Sequence, residues 1–428
     1  MSILLKNVHL LESPENERTD VLIRDGKIAV IGKGAADSAK ETAGCETTDC
    51  SGRTLMPGLI NCHTHAYMSL MRNYADDVPF ATWLFDRIAP VEDSLSNEDA
   101  YYGNLLSIME MLRTGTTAFA DMQMFPRMAV KACADSGMRA LITRGLVGES
   151  RDDEGAKRRL QEAFDEMEYG KEIGAPCDFG LGPHAIYTCG KDLLRYVGEL
   201  AAEKDLRVHI HLAETQYEFD TCMKEHGKTP VEYLDSLGLL DREILLAHCV
   251  YLTDGDYELL KRPNVHVVTN PASNAKLANG FAPVKRMLEE GIQVALGTDS
   301  AASNNSLNMF GEMRLLTMAQ KGVSKDSLAL TAPQTLDIAV KNGAAAIGRC
   351  DLGAAEEGKT ADLILIDENA PSLRPLYNRK ASLVYSASGY EVTDVMIGGK
   401  FVFRTGEYLT IDAEKVLFET ERIAARYR

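Results

Sequence analysis

Two histidines separated by one residue, His63 and His65, end a short apolar run that begins after Pro57 and Gly58. If residues 59–65 form a β-strand, the side chains alternate between its faces and both imidazoles point the same way. Two imidazoles at the end of a buried strand supply half of a metal site. Because a His-x-His pair alone is weak, the interpretation depends on ligands at the ends of other strands.

Further imidazoles end two later apolar runs. His209 and His211 share one face of the run 207–212. Because His211 is nearer the C-terminal end of that run, it is predicted as the third imidazole ligand, with His209 a core residue one layer deeper. His248 ends the run 244–248, where it is predicted to accept a proton. A buried structural histidine is the alternative for His248.

Two carboxylates follow strand ends in the same way. Glu214 stands three residues past His211 and can reach the same place without being a ligand, although a solvated glutamate at a helix start is the alternative. Asp299 follows Gly297 where a strand opens into a loop, and a simple turn is its alternative. Three imidazoles and one carboxylate suit one divalent metal with a position left for water, Zn²⁺ being favoured over Fe²⁺ or Mn²⁺. The predicted ligands are His63, His65, His211 and Asp299.

The elements that position these residues alternate between strands and helices. Between residues 57 and 350, apolar runs are separated by segments with helical spacing. The runs cover residues 59–65, 115–121, 139–146, 178–183, 207–212, 244–248, 265–269 and 293–299. Eight parallel strands that close form a (β/α)8 TIM barrel, with its chemistry at the C-terminal ends of the strands. The predicted fold class is therefore α/β, and residues 57–350 are the predicted catalytic domain.

Both ends of the chain read as short strands. Residues 1–56 alternate around an Asp25-Gly26 turn, and residues 351–428 contain strands around a Gly398-Gly399 turn. Together they predict a small β-sandwich domain built from both termini. The last stretch, 413–427, has helical spacing and is expected to pack on the outside.

Composition limits the partners. The formal net charge of -17 argues against nucleic-acid binding and against docking to an anionic membrane. Nine scattered cysteines without a C-x-x-C pair favour a reduced cytosol, and Cys62 is expected to be a core thiol. The sequence lacks a signal-like start and an apolar stretch long enough to span a bilayer, so a cytoplasmic location is predicted. An exposed barrel flank allows a homo-oligomer.

The histidine and aspartate pattern at strands one, five, six and eight resembles the amidohydrolase superfamily nearly from end to end. A split β-sandwich around the barrel accompanies that pattern in the superfamily. Binuclear members carry a bridging lysine at the end of strand four, whereas this chain has Gly180-Leu181-Gly182-Pro183-His184-Ala185 there. The resemblance therefore implies a mononuclear, deaminase-like site.

Within the superfamily the chain resembles the S-adenosylhomocysteine/5′-methylthioadenosine deaminases. The stretches that carry this resemblance are 79–84, 183–187, 270–277 and 297–305. By that resemblance Glu92 clamps the two ribose hydroxyls of a small-molecule nucleoside. Other implied substrate-binding residues are Trp83 over the nucleoside, His184 at the ring or ribose, Ser303 near the purine, and Arg144 and Arg159 on an amino-acid carboxylate. Arg158 stands beside Arg159 and could replace it.

The resemblance implies hydrolytic deamination of the adenine ring of S-adenosylhomocysteine, 5′-methylthioadenosine, 5′-deoxyadenosine or adenosine. A divalent metal lowers the pKa of a bound water. His248 and Asp299 are expected to take its proton, while Glu214 passes a proton to the ring nitrogen. Guanine deamination and triazine hydrolysis share the metal set and Glu214, so Glu92 separates them from nucleoside deamination. A structural barrel without catalysis would have lost ligands or Glu214, and all are present.

Overall fold

A computed structural model describes residues 2–14 and 17–427. Its strands form two sheets, one wound into a barrel and one assembled from both ends of the chain. The strands are β1 (Ser2–Leu10), β2 (Thr19–Arg24), β3 (Lys27–Ile31), β4 (Glu46–Asp49), β5 (Arg53–Pro57), β6 (Leu59–Thr64), β7 (Thr116–Gln123), β8 (Arg139–Leu146), β9 (Cys177–Pro183), β10 (Arg207–Leu212), β11 (Ile244–His248), β12 (Val265–Thr269), β13 (Gln293–Leu296), β14 (Leu363–Asp367), β15 (Val392–Ile397), β16 (Lys400–Arg404) and β17 (Glu407–Tyr408).

Helices connect the barrel strands and cover the outside. They are α1 (Gly34–Lys40), α2 (Ala89–Ser94), α3 (Asn97–Arg113), α4 (Pro126–Ser136), α5 (Glu154–Glu172), α6 (Lys191–Lys204), α7 (Gln216–His226), α8 (Pro230–Ser236), α9 (Asp254–Leu260), α10 (Pro271–Lys276), α11 (Val284–Glu289), α12 (Met309–Ser324), α13 (Ala332–Ala339), α14 (Lys341–Ala346), α15 (Arg379–Tyr385) and α16 (Ala413–Ala424). A π-helix at Thr82–Ile88 leads into α2, and short 3₁₀ turns cover Ala66–Met71, Leu239–Asp241 and Pro371–Leu373.

The barrel confirms the predicted (β/α)8 fold. Strands β6 to β13 are parallel and hydrogen-bonded in chain order. The first and last strands meet where Asp299 N–H donates to the carbonyl of His63 over 2.9 Å, which nearly closes the ring. Every residue of β7, β11 and β12 is buried, as expected for strands covered on both faces. Cys62 is buried against α14, with Sγ 3.7 Å from the carbonyl oxygen of Gly343.

The two ends of the chain share one nine-stranded sheet. β1 pairs with β2 and β4 along its first half and with β5 at its end, so it belongs to both parts of the sheet. Ile3 and Leu5 pack in one core with Leu363 and Leu365, which explains why strands from distant parts of the sequence need each other. The predicted sheet from both termini is confirmed. Because β1 pairs with strands of both parts, the two parts form one continuous sheet. The domain bounds of 1–56, 57–350 and 351–428 stay a prediction.

Ion pairs fix this sheet and the last helix to the barrel. Arg139 Nε on β8 lies 2.8 Å from the carboxylate of Asp362, beside β14. At the chain end, Arg426 Nη2 lies 2.6 Å from Asp99 Oδ2 on α3. The helix predicted for 413–427 therefore packs on the outside of the barrel, as expected.

Candidate active site and metal centre

Four strands of the barrel bring imidazoles and a carboxylate together. His63 Nε2 and His65 Nε2 each lie 3.6 Å from Asp299 Oδ1. His65 Nε2 lies 3.1 Å from His211 Nε2. Two overlapping groups, one with His63, His65 and Asp299 and the other with His63, His211 and His248, hold their donor atoms within 4.8 Å of one another. The four predicted ligands and the predicted proton acceptor therefore converge.

Hydrogen bonds at the outward-facing nitrogens orient two of the imidazoles, so that their other nitrogens face the cluster. His65 Nδ1 lies 2.9 Å from the carbonyl of Met122, and His211 Nδ1 lies 2.7 Å from the carbonyl of His184. A carbonyl only accepts, so each Nδ1 carries the hydrogen and each Nε2 offers a lone pair. His63 Nε2 is buried without a hydrogen-bond partner in the part of the chain that the structure describes. A cation bound at that atom would satisfy it, so the residues fit a metal.

His209 lies beneath His63, one layer deeper along β10. Its Nε2 is 2.8 Å from His63 Nδ1, and both side chains are fully buried. Burial, together with the nearby His65 and His248 rings, lowers the pKa of His209 to about 3. A neutral His209 can accept the hydrogen of His63 Nδ1, which leaves His63 Nε2 as the ligating nitrogen.

Asp299 is held by hydroxyl and amide donors. Its backbone has a φ of 61°, a left-handed conformation that is uncommon outside glycine. Ser300 N–H donates to Oδ1 over 2.6 Å, and the hydroxyls of Ser273 and Ser303 donate to Oδ2 over 2.6 and 2.9 Å. Ser303, expected near a purine, is fully buried behind this carboxylate and does not line the cavity described below. Its hydroxyl therefore positions Asp299 instead of contacting the cavity.

Glu214 and His248 form the titratable pair beside the cluster. Glu214 Oε2 lies 3.9 Å from His248 Nε2, while Asn279 Nδ2 donates to Glu214 Oε1 over 3.1 Å. His248 Nδ1 lies 2.8 Å from Asn274 Oδ1. Burial raises the pKa of the Glu214 carboxyl. Burial alone would lower the pKa of His248, but the carboxylates of Glu214 and Asp299 outweigh it and raise that pKa.

These residues open into one cavity of about 220 Å³ at the C-terminal ends of the strands. Apart from the cluster its walls are mainly apolar. The predicted residues on its wall are His65, Trp83, Glu92, His184, His211, Glu214, His248 and Asp299, and apolar neighbours include Met68, Phe80, Leu84, Phe85, Ile88, Met122, Met124, Val147 and Leu277.

Glu92 supplies a second carboxylate to this cavity. It stands on α2, and Tyr67 donates its phenolic hydrogen to Glu92 Oε1. Burial raises the pKa of Glu92, and the bond from Tyr67 opposes part of that rise. A buried carboxylate with one protein donor keeps acceptor capacity for ligand hydroxyls.

Trp83 and His184 complete the wall. The Trp83 indole N–H lies 3.3 Å from the carbonyl oxygen of Ala302, and its ring centroid is 5.9 Å from that of Phe80. His184 Nδ1 lies 3.0 Å from Thr188 Oγ1. Burial lowers the pKa of His184 to about 4, so its ring is neutral at neutral pH.

The two predicted arginines stand off the cavity wall. Arg144 Nε donates to Glu162 Oε2 over 2.8 Å, and its Nη1 donates to the carbonyl of Gly145 over 2.8 Å. Arg158 Nε lies 3.5 Å from Glu162 Oε1. The Nε of Arg159 is buried without a hydrogen-bond partner among the described residues. Glu162 therefore already occupies the guanidinium that was expected to hold a ligand carboxylate.

Several supporting residues escaped the sequence analysis. Tyr67 follows His65 by two residues, yet its bond to Glu92 joins a 3₁₀ turn to helix α2, so no spacing predicts it. Asn279 reaches Glu214 from the segment after β12 for the same reason. Glu218 was detectable, because a second glutamate four residues after Glu214 lies one helical turn away.

Two further observations concern the chain outside the site. Among the residues that the structure describes, no helix is both long and apolar enough to cross a membrane. All nine cysteines are free thiols.

Comparisons with known proteins agree with this geometry. The sequence model described as "Amidohydrolase family" matches residues 54–402. A 5-methylthioadenosine/S-adenosylhomocysteine deaminase of Thermoanaerobacter pseudethanolicus is 42% identical over 99% of both chains. A 5′-deoxyadenosine deaminase of Methanothermobacter thermautotrophicus is 39% identical over 99% of this chain and 98% of its own. The crystal structure of an adenosine deaminase from Xanthomonas campestris with bound zinc has a TM-score of 0.92 and 32% identity, covering 100% of this chain and 98% of its own. The chain belongs to the amidohydrolase family.

Proposed function

We propose that the protein hydrolytically deaminates the adenine ring of a 5′-modified adenosine, releasing ammonia and the inosine analogue. The substrate class comprises S-adenosylhomocysteine, 5′-methylthioadenosine, 5′-deoxyadenosine and adenosine. One observation carries the proposal: the Glu214–His248 pair, two imidazoles of the cluster (His65 and His211) and the Glu92 carboxylate line the same cavity. The names of the three relatives given above, which are deaminases of adenosine-type nucleosides, support it.

One divalent metal, with zinc favoured, would be held by His63, His65, His211 and Asp299. The free lone pairs of the imidazoles and the unpartnered His63 Nε2 support this assignment. When bound, such a metal lowers the pKa of water to about 7 and so supplies a nucleophile. The end of β9 offers Gly182 and Pro183 where a bridging lysine would stand, which supports a single metal.

The protein's own groups would move the protons. Glu214 is the candidate donor to the ring nitrogen, because burial raises its pKa and so favours the protonated carboxyl. His248 and Asp299 are the candidate acceptors for the proton of the attacking water. The raised pKa of His248 suits a group that must accept a proton and keep it briefly.

Ribose recognition would fall to Glu92. A buried carboxylate can accept hydrogen bonds from both hydroxyls of a ribose, and Tyr67 fixes its orientation. Trp83 would cover the nucleoside and His184 would face its ring or ribose. A free base such as guanine, or a triazine, has no ribose hydroxyls, so a buried Glu92 disfavours those substrates.

A cytosolic location and a homo-oligomeric state complete the proposal. The nine free thiols support a reducing compartment. The net charge of -17 favours a small-molecule substrate over nucleic acid.

The test is a substrate panel with metal-loaded protein, followed by ultraviolet absorbance and ammonia release. We expect turnover of the four adenosine-type nucleosides and none of guanine or a chlorinated triazine. An E214Q variant with normal metal content should turn over each nucleoside about 100- to 10,000-fold more slowly, the usual contribution of a general acid. Guanine or triazine turnover, without nucleoside turnover, would overturn the proposal.

A further inference from the structure

Helix α7 begins directly after Glu214 and has an unusual start. Its N-cap is Thr215, whose hydroxyl accepts from Glu218 N–H over 3.1 Å. In a capping box, the acidic side chain three residues after the cap returns to accept the N–H of the cap residue. Capping boxes stand at the N-termini of α3, α8, α9 and α13 among the described helices, with a glutamine in place of the acidic residue in α13. Glu218 holds the equivalent position on α7, yet its side chain goes elsewhere.

Glu218 reaches back four and five residues along the chain, into the turn that carries Glu214. Its Oε1 accepts from Ala213 N–H over 3.1 Å, and its Oε2 accepts from Glu214 N–H over 2.8 Å. Both carboxylate oxygens are therefore committed to consecutive backbone amides. The side chain is buried, with 2% exposure.

The turn that these bonds hold is strained. Ala213 has a φ of 51°, in the left-handed region that is unfavourable for a non-glycine residue and persists only where the surroundings enforce it. Turning the chain at Ala213 aims Glu214 towards His248. Without a partner, the two buried amides would also be unsatisfied.

We infer that Glu218 is a positioning residue that holds the Ala213–Glu214 turn and so sets the place of the Glu214 carboxyl. It acts through Glu214 and touches no reacting atom. This inference rests on the proposed function only for its kinetic consequence, since the backbone clamp itself can be measured without substrate.

The experiment compares E218A and E218Q with E232A. Glu232 is the matched control, because it closes the ordinary capping box of α8 by accepting from Thr229 N–H over 2.9 Å. Hydrogen exchange of the segment 212–217 is followed by mass spectrometry, with metal content measured on the same samples. E218A should expose the amides of Ala213 and Glu214 to exchange, whereas E232A should leave them protected.

Kinetics on 5′-methylthioadenosine provide the second readout. A displacement of about 1 Å can cost about 100-fold in rate, so E218A should lower kcat by roughly 10- to 100-fold with KM nearly unchanged. E218Q keeps one acceptor oxygen and should fall between wild type and E218A. E232A should keep the wild-type kcat.

A double-mutant cycle separates positioning from general destabilisation. In an E214Q background, E218A should cause no further loss of kcat, because the group it positions is already disabled. An equal loss in both backgrounds, or slow exchange at 212–217 in E218A, would overturn the inference. If the wild type turns over no adenine nucleoside, the proposed function fails, and the exchange comparison still decides whether Glu218 holds the turn.

Discussion

His63 Nδ1 and His209 Nε2 face each other across 2.8 Å, and both rings are fully buried. Because the pKa of His209 is lowered to about 3, its neutral ring is available to accept the His63 hydrogen. When His63 Nδ1 carries that hydrogen, the unpartnered Nε2 of His63 keeps its lone pair for the cluster. His209 would not itself contact a bound metal ion, yet its contact with His63 helps decide whether the cluster can bind one.

Replacing His209 by alanine should weaken metal binding by about 10- to 100-fold, as is typical when a ligand loses its outer partner. Metal content after dialysis against graded chelator measures the effect. His266→Ala is the control, because His266 is also a buried histidine of a barrel strand. Equal metal retention in both variants would mean that His209 does not contribute to metal binding.

Loss of the Glu92 carboxylate should reduce kcat/KM for adenosine-type nucleosides by about 10- to 100-fold, the range of one or two hydrogen bonds to a charged group. E92A tests this directly by steady-state kinetics. Tyr67→Phe keeps the carboxylate but removes its donor, so a smaller loss is expected. If E92A leaves nucleoside turnover unchanged, Glu92 is not the ribose clamp.

The ion pair between Arg144 and Glu162 should penalise substrates whose 5′ substituent carries a carboxylate. Glu162→Gln removes the competing charge, so kcat/KM for S-adenosylhomocysteine should rise by roughly fivefold relative to 5′-methylthioadenosine, corresponding to about 1 kcal/mol. Glu168→Gln makes the same charge change at an exposed position of α5 and should leave the ratio of the two kcat/KM values unchanged. An unchanged ratio in E162Q would mean that Arg144 does not meet the substrate carboxylate.

Acid should destabilise the terminal sheet through Glu368. Burial alone would raise its pKa, but Arg18 at 2.6 Å, Thr54 at 2.8 Å and Arg379 at 3.2 Å lower it to about 2. A lowered folded pKa means that ionised Glu368 stabilises the protein above its unfolded pKa of about 4.3, by about 3 kcal/mol. That contribution is lost as pH falls from about 4.3 towards 2.

Urea unfolding of wild type and E368Q across this pH range measures the contribution. The difference in free energy of unfolding should be constant near neutral pH and shrink below about pH 4.3. Asp37→Asn, which breaks the exposed pair with Lys40, should show no such pH dependence. A wild-type advantage that persists to about pH 2 would contradict the assignment.

The barrel and the convergence of its ligands could be predicted because local patterns determine them. Parallel strands place their C-terminal ends at one rim, so His63, His211 and Asp299 meet once their strands are identified. The order of the two histidines along β10 also predicted their depth, since His209 contacts the inner nitrogen of His63 and His211 lies beside His65.

Individual side-chain contacts between separate elements could not be predicted in this way. Ser303 was expected at a purine and lies behind Asp299, because its hydroxyl direction depends on the turn after β13. Arg144 was expected to hold a substrate carboxylate, and the sequence did not predict that Glu162 on α5 would lie against it. Periodicity in one sequence shows which face of an element is buried, but it does not show the path of a loop or which polar side chains pair.

Whether the protein is a nucleoside deaminase is decided by comparing 5′-methylthioadenosine with free adenine on the metal-loaded wild-type enzyme. Both carry the same reacting ring, and only the nucleoside carries ribose hydroxyls for Glu92. We predict that kcat/KM for the nucleoside exceeds that for adenine by about 100-fold or more, since a site built for hydroxyls rejects an analogue that lacks them. Equal kcat/KM values, or faster turnover of adenine, would contradict a nucleoside deaminase.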